Sequence, residues 1–433
     1  MQTRALDIIR GNWRNGFTIP TSKLYPFQWL WDSGFVAMGN GIYNLPQAIE
    51  EIDKMFSGQW ANGMVPHILF HSEKESTYFP NFDFWNSNVN PGAPLFPKSS
   101  GITQPPVFGF VLKALLENHP DDESLKEFTK KIFPKIKAFH KFLYTYRDHN
   151  REGLFHIFHP WESGRDNSPI WDKSLDRIVI DEKRLPEYTR RDTNLADASE
   201  RPTTDQYNRY VYLLELGKKY RYDGKEIAKE SPFLIQDSMM NAILIKSNQS
   251  LIEIANDFGF DSGEIEEWQS QTKLSFNGKF WNEEIKSFVS YDCRVEEQLV
   301  HKEIGGFISL FAECATKGQA ESMASDLQSL HDRGFYMCPS FDVDSELFDS
   351  KRYWRGPVWP QMNWMIAKGL KSYGHDDLAK IVKADLLELV EKLGFFEYFE
   401  SNKKIVQTLN HGYGGDNFSW TASSVLSFLN TEL

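Results

Sequence analysis

The stretch DDESLKEFTKKIFPKIKAFHKFLYTYRD, residues 121–148, decides how the chain is read. Leu125, Phe128, Ile132, Ile136, Phe139 and Tyr146 recur at helical spacing, so one apolar stripe faces inward while Lys and Glu occupy the other faces. Pro134 within it predicts a kink. Leu45, Ile49, Ile52 and Phe56 repeat the pattern, with Asn44 as N-cap and Pro46 in the first turn. Similar periods run near 203–220, 232–258, 263–276, 300–315, 320–331, 357–373, 376–393 and 417–429. With 105–117 and an early helix around Phe35, the expectation is about twelve helices. Strand signals are few, the clearest being the alternation at Ser287–Cys293.

No linker, low-complexity block or shift of composition divides these helices, and no period of solenoid length repeats. Residues 1–433 are therefore expected to form one all-α domain. About twelve helices joined by long aromatic loops suit an (α/α)6 barrel, a toroid of six inner and six outer helices. A helical solenoid is the alternative. In the toroid, loops at one end line a funnel, where function is commonly carried.

Composition narrows the classes. Lys plus Arg is 48 against 60 Asp plus Glu, a net charge of −12, which gives no counterion-release drive toward DNA or RNA, so no nucleic-acid partner is expected. Apolar runs such as Val107–Leu112 are too short to span a bilayer, so no membrane partner is expected either. Arg4, Asp7 and Arg10 interrupt what an export signal would keep apolar, although a processed signal stays open. Cys293, Cys314 and Cys338 form no CxxC pair and read as reduced thiols of a cytoplasmic protein. The histidine pairs His67/His71 and His156/His159 lack the glutamate of HExxH, and no P-loop or dinucleotide fingerprint occurs, so neither metal nor cofactor is expected. A homo-oligomer stays open.

The unusual quantity is aromatic: 33 Phe, 13 Trp and 17 Tyr make 15% of the chain. They gather in five loop-like clusters: Tyr25–Asp32, Gly101–Pro106, Trp161–Asp172, Tyr353–Pro360 and Phe395–Phe399. Tyr and Trp present an apolar face and one polar handle, which suits a ligand apolar on its C–H faces and polar at its edges, as a sugar is. A small carbohydrate is thus the expected partner. Cleaving a glycosidic bond needs one protonated and one ionised carboxyl group. Asp166 between Trp161 and Trp171, and Glu397 between Phe396 and Tyr398, are flanked by rings whose desolvation raises a carboxyl pKa. Which of the two is raised is not decided by sequence, and Glu162, Asp172, Asp32 and Asp416 compete. The Gly-Tyr-Gly-Gly of Gly412–Gly415 reads as a loop before the final helix. The charged segment 182–200 reads as a loop closing over the site or as a solvated insertion.

The motifs YPFQWLWD (25–32), WESGxDNSP (161–169), YWRGPVWPxMNW (353–364) and FEYF (396–399), in this order, resemble glycoside hydrolase family 63, in particular its compact single-domain mannosylglycerate and glucosylglycerate hydrolase branch. The resemblance implies an (α/α)6 barrel and inverting hydrolysis of a small α-glucoside or α-mannoside, with glucosylglycerate or mannosylglycerate as first substrate. It implies Asp166 as general acid and Glu397 as general base. Tyr25, Trp29, Trp31, Asp32, Gln104, Tyr353, Trp354 and Trp359 match positions around the sugar, with Tyr78, Trp161 and Gly164 as further binding residues. Asp32 would accept from adjacent hydroxyls. The segment Arg201–Tyr207 resembles the stretch supplying an Arg and a Tyr to the glycerate carboxylate, a group a guanidinium grips bidentately.

Two positions depart from the pattern: Arg165 stands where an apolar residue is expected, and Ile170 where an Arg is expected. The alternatives are a trehalase-like or other α-glucosidase acting on a neutral disaccharide, a sugar epimerase or isomerase needing histidine in the funnel, and a binding protein without turnover.

Overall fold

The computed structural model describes residues 1–72, 78–180, 185–195 and 197–430. Among them, twelve helices alternate between two layers. The outer ones are α1 (Gln2–Asn12), α3 (Leu45–Phe56), α5 (Glu123–Phe142), α7 (Gly263–Phe280), α9 (Lys317–Asp332) and α11 (Asp376–Leu393). The inner ones are α2 (Leu30–Tyr43), α4 (Phe108–Asn118), α6 (Ser238–Phe258), α8 (Ile304–Phe311), α10 (Pro360–Ser372) and α12 (Ser419–Asn430).

Burial separates the layers as patterning dictates. Every residue of α8 and all but the last two of α2 are buried, the state of a helix surrounded on all sides. Outer α5 buries one stripe, including Leu125, Phe128, Ile132, Ile136 and Phe139, and runs through Pro134 before ending in a π-helical turn at Leu143–Arg147. The inner helices pack in the cycle α2, α4, α6, α8, α10, α12 and back to α2. That closure makes an (α/α)6 toroid and removes the solenoid alternative. Glycine sets the closeness of this ring: a Cβ on Gly109 would sit 2.5 Å from the Ser247 carbonyl oxygen, and one on Gly369 2.4 Å from the Phe311 nitrogen.

The helix count matches expectation, but one member differs. The expected helix near 203–220 forms as Thr204–Lys219, with a capping box between Thr203 and Gln206, yet it lies in the connection between α5 and α6. Its place in the outer layer is taken by α1, which packs on α12. The apolar face of α1 is only Ala5, Ile8 and Ile9, too narrow to announce a helix. Asn44 caps α3 as read, accepting from the Gln47 amide. The Ser287–Cys293 alternation forms two short strands, Ser287–Phe288 and Tyr291–Asp292. No helix among the described residues is long and apolar enough to cross a membrane.

Each aromatic cluster precedes or begins an inner helix or its approach, so the clusters gather at the N-terminal ends of the inner ring. Two small sheets stiffen that end. Strands β1 (Gln28–Trp29), β2 (Ile68–Phe70) and β3 (Lys98–Ser99) form one antiparallel sheet in that order. Strands β4 (Phe396–Tyr398) and β5 (Tyr413–Asp416) form a hairpin whose register shifts between Phe396 and Tyr398. Glu397 sits at that irregularity, where a bulge re-aims a side chain.

Candidate active site

The N-terminal ends of the inner helices surround a cavity that opens to solvent. Trp29, Trp31 and Asp32 reach it from the start of α2, Gln104 from the approach to α4, and Trp161, Gly164 and Asp166 from the loop after α5. Arg201 and Tyr207 line it from the approach to and first turn of the Thr204–Lys219 helix. Tyr25, Tyr78, Tyr353 and Glu397 complete the set. Trp354 and Trp359, expected around the sugar, instead stack on each other behind this wall at 3.7 Å and 5°. The Trp359 indole donates to the Tyr353 carbonyl at 3.2 Å, so the pair supports Tyr353, whose φ of +36° is rare for a residue bearing a Cβ.

The two carboxyl groups sit in different surroundings. Asp166 is half-buried, and burial, reinforced by Glu397 and opposed by Arg201, pushes its carboxyl up to about 7. Glu397 is buried and also raised by burial, but Arg201 and a set of donors oppose the rise. Its Oε1 accepts from the Tyr25 hydroxyl at 3.1 Å and the Tyr353 hydroxyl at 3.2 Å, and its Oε2 accepts from the Gly415 amide at 3.1 Å. Arg201 extends the network by donating to the Tyr25 hydroxyl at 3.0 Å and lying 4.3 Å over the Tyr353 ring. Asp32 is buried and its carboxyl stands well above the ordinary range, through burial and then the charge of Glu397.

Local chemistry explains how these groups are held. Gly164 has φ +71°, and a Cβ there would fall 2.5 Å from the Trp31 ring, so glycine is required on both counts. Gln104 Oε1 accepts from the Trp31 amide at 3.4 Å. Tyr78 packs edge-on to Trp29, with centroids 5.8 Å apart, and Trp161 edge-on to Tyr207 at the same separation.

The competing carboxylates are accounted for structurally. Glu162 is fully buried and pairs with Arg147 at 2.8 Å. Asp172 is gripped by both terminal nitrogens of Arg355 at 3.0 and 2.6 Å. Asp416 lines a separate pocket together with Met1 and Arg4. Of the four, only Asp32 shares the cavity. Among the described residues no group of three or more histidine, cysteine or acidic side chains gathers to hold a metal.

Several site residues were missed by sequence reasoning. Gly414 and Gly415, read as loop shapers, belong to β5; a Cβ on Gly414 would lie 2.3 Å from Glu397 Oε2, so this glycine makes room for the carboxylate. The paired glycines after Tyr413 were the one signal in the sequence, and their nearness to Glu397 arises only when β4 and β5 pair. His67 lines the cavity, its Nδ1 2.6 Å from Ser100 Oγ, and burial followed by the charge of His159 keeps it well below its ordinary range and neutral. Segment 182–200 was read as a closing loop or a solvated insertion; its positions 182–184 and 196 lie outside the described residues. Its Arg191 and Asp192 line the cavity. Asp192 Oδ2 accepts from Arg190 at 2.7 Å and from Arg201 at 3.3 Å; although burial raises its carboxyl, these guanidiniums hold it below the ordinary value.

A closed helical toroid that sets two desolvated carboxyl groups among indoles and phenols at one end is the build of a glycoside hydrolase. The chain belongs to the family described as the mannosylglycerate hydrolase MGH1-like glycoside hydrolase domain, which it matches over residues 25–421. It is similar to a mannosylglycerate hydrolase of Thermus thermophilus, with 40% identity over 98% of this chain and 99% of that protein. A crystal structure of the family 63 mannosylglycerate hydrolase from Thermus thermophilus, in complex with Tris and D-glycerate, superposes with a TM-score of 0.92, covering 99% of this chain and 100% of that one. A glucosylglycerate hydrolase from Mycolicibacterium hassiacum is 29% identical over 99% of this chain and 97% of its own length. The enzyme is a glycoside hydrolase of the (α/α)6 type.

Proposed function

We propose that the enzyme hydrolyses the α-glycosidic bond of mannosylglycerate or glucosylglycerate with inversion. Asp166, protonated near neutral pH, gives its proton to the glycosidic oxygen as the bond to the anomeric carbon breaks. Glu397, ionised, takes a proton from the water that attacks that carbon from the opposite face, and the sugar leaves as its β anomer with free glycerate as the other product. The observation that carries this reading is the contrast in one cavity between Asp166, pushed up to about 7, and Glu397, which accepts three hydrogen bonds. Asp32, Trp29, Trp31 and Gln104 bind the sugar. Arg201 and Tyr207 receive the glycerate. An anionic aglycone is supported by charge: among the described residues Arg190 and Arg201 both pair with one carboxylate, Asp192, and Arg191 lies exposed at the cavity wall.

We read residues 1–433 as one catalytic domain, supported by one continuous hydrophobic cluster, and place it in the cytoplasm, supported by three free thiols. The test is proton NMR of the enzyme with mannosylglycerate, glucosylglycerate, trehalose and kojibiose. A β sugar appearing first from one of the glycerate conjugates is the expected result. Cleavage of the neutral disaccharides alone would keep the chemistry and discard the aglycone; an α sugar appearing first would overturn inversion. Silence across the panel would return weight to an epimerase or a binding protein.

A further inference from the structure

A general acid that must stay protonated cannot be aimed by donors to its own carboxylate, because each such hydrogen bond favours the ionised form. Asp166 accordingly receives no side-chain hydrogen bond on its carboxyl group among the described residues, and it must be aimed through its backbone. Its neighbour Arg165 is fully buried and does not line the cavity. Its backbone amide and carbonyl and both terminal guanidinium nitrogens are nonetheless engaged, while Nε has no partner among the described residues. Its amide donates to Ser163 Oγ at 3.0 Å, and its carbonyl accepts from the Trp171 indole at 2.8 Å and the Ser168 amide at 3.1 Å, so the loop closes on itself. One terminal nitrogen of its guanidinium, Nη2, donates to both carboxylate oxygens of Asp237 at 2.8 and 2.7 Å, and the other, Nη1, donates to Glu303. Asp237 is the N-cap of α6, accepting from the Met239 amide at 2.8 Å, and Glu303 is the N-cap of α8, accepting from the Gly305 amide at 2.7 Å.

We propose that Arg165 is a positioning residue for the general acid, tying the loop that carries Asp166 to the N-terminal ends of two adjacent inner helices. The inference rests on the reading of Asp166 as the acid. It also gives a role to the departure from the family pattern at position 165: the guanidinium there touches the scaffold and not the substrate. The planar guanidinium holds two nitrogens at a fixed angle, one on each carboxylate, a bridge that the single nitrogen of an ammonium does not reproduce.

The experiment compares two leaving groups on the same sugar, glycerate and fluoride, since fluoride departs with little help from an acid. Arg165→Lys keeps a charge between Asp237 and Glu303 without the two-nitrogen bridge, and Arg165→Met removes the charge. Each is assayed once a cooperative thermal transition shows that it folds. Asp166→Asn serves as the reference for lost acid assistance. In Arg165→Lys, kcat on the glycerate conjugate should fall by about 10- to 100-fold, with KM within about 2-fold, while kcat on the glycosyl fluoride changes by less than about 3-fold. Arg165→Met should show the same selectivity, enlarged. Equal losses on both substrates, or parental rates on both in each variant, would overturn the proposal. If Asp166→Asn itself fails to spare the fluoride, the assignment of the acid fails and not the tie.

Discussion

The acid and base sides of the cavity are built on opposite principles. Asp166 sits on an irregular loop fixed from behind: Tyr210 donates to its carbonyl at 2.8 Å, and Asn167 accepts from the Trp354 amide at 3.0 Å. Among the described residues no side chain donates to its carboxyl group, which receives only the Asp166 backbone amide, and burial drives that group toward the neutral form. Glu397 sits on a hairpin, and there the carboxylate itself is gripped, by two phenols and an amide. Burial raises both carboxyl groups and Arg201 opposes the rise in both, but the two phenolic donors that also oppose it act on Glu397 alone. Position can be supplied through the backbone or through the functional group, and the charge state required decides which.

The strongest way to break this contrast is to remove each carboxyl in turn. Asp166→Asn and Glu397→Gln should each lower kcat/KM on the glycerate conjugate roughly a thousandfold or more, measured by steady-state kinetics. They should differ on the glycosyl fluoride, which Asp166→Asn still hydrolyses and Glu397→Gln does not. Gly414→Ala tests the grip on the base next. With φ at +70° and the new Cβ only 2.3 Å from Glu397 Oε2, the hairpin or the carboxylate must shift, and kcat should fall by about 100-fold in a protein that still folds. A parental rate would show that β5 does not set the position of Glu397.

Tyr353→Phe sharpens the contrast more gently. It removes one donor from the base and none from the acid. The ionised form of Glu397 loses support, its pKa rises further, and the acidic limb of kcat/KM moves to higher pH while the alkaline limb stays. The rate at the optimum should fall about 10-fold. A shift of the alkaline limb alone would place Tyr353 on the acid side.

These differences were unequally legible. The cavity wall was readable because its residues cluster locally: Tyr25–Asp32, Trp161–Asp172 and Phe395–Phe399 each combine rings with a carboxylate over a few positions. Within the cluster at 353–360, sequence did not distinguish the ring that faces the cavity from the two that stand behind it. That choice depends on a positive φ at Tyr353, which a tyrosine does not advertise. Pairings across the fold were equally hidden. Gly415 reaches Glu397 only once β4 and β5 pair, and Arg165 finds partners 72 and 138 positions away. His67 read as one of a weak metal pair until the register of β2 put it beside Ser100 in the wall. Helical periodicity carried the ring itself, since inner and outer layers differ in how much of each helix is apolar, and it failed where α1 offered a three-residue stripe and where the equally periodic Thr204–Lys219 helix proved to be part of a connection.

The smallest effect concerns stability. The carboxyl of Asp166 rises from an ordinary 3.8 to about 7 in the folded protein. A group raised on folding binds its proton more tightly in the native state, so the stability it contributes is fully present below about pH 4 and is lost as pH climbs through about 7. Asparagine does not ionise, and Asp166→Asn escapes that loss. The variant should therefore melt a few degrees above the parent at pH 8 and with a much smaller difference at pH 4, measured by calorimetry in matched buffers. The two acids then separate once more: Glu397→Gln relieves the same kind of burial but discards three hydrogen bonds to the carboxylate, so its gain at pH 8 should be smaller or reversed. Equal gains for both variants would mean that the donors around Glu397 do not hold its charge, and the contrast between the two sides would reduce to geometry alone.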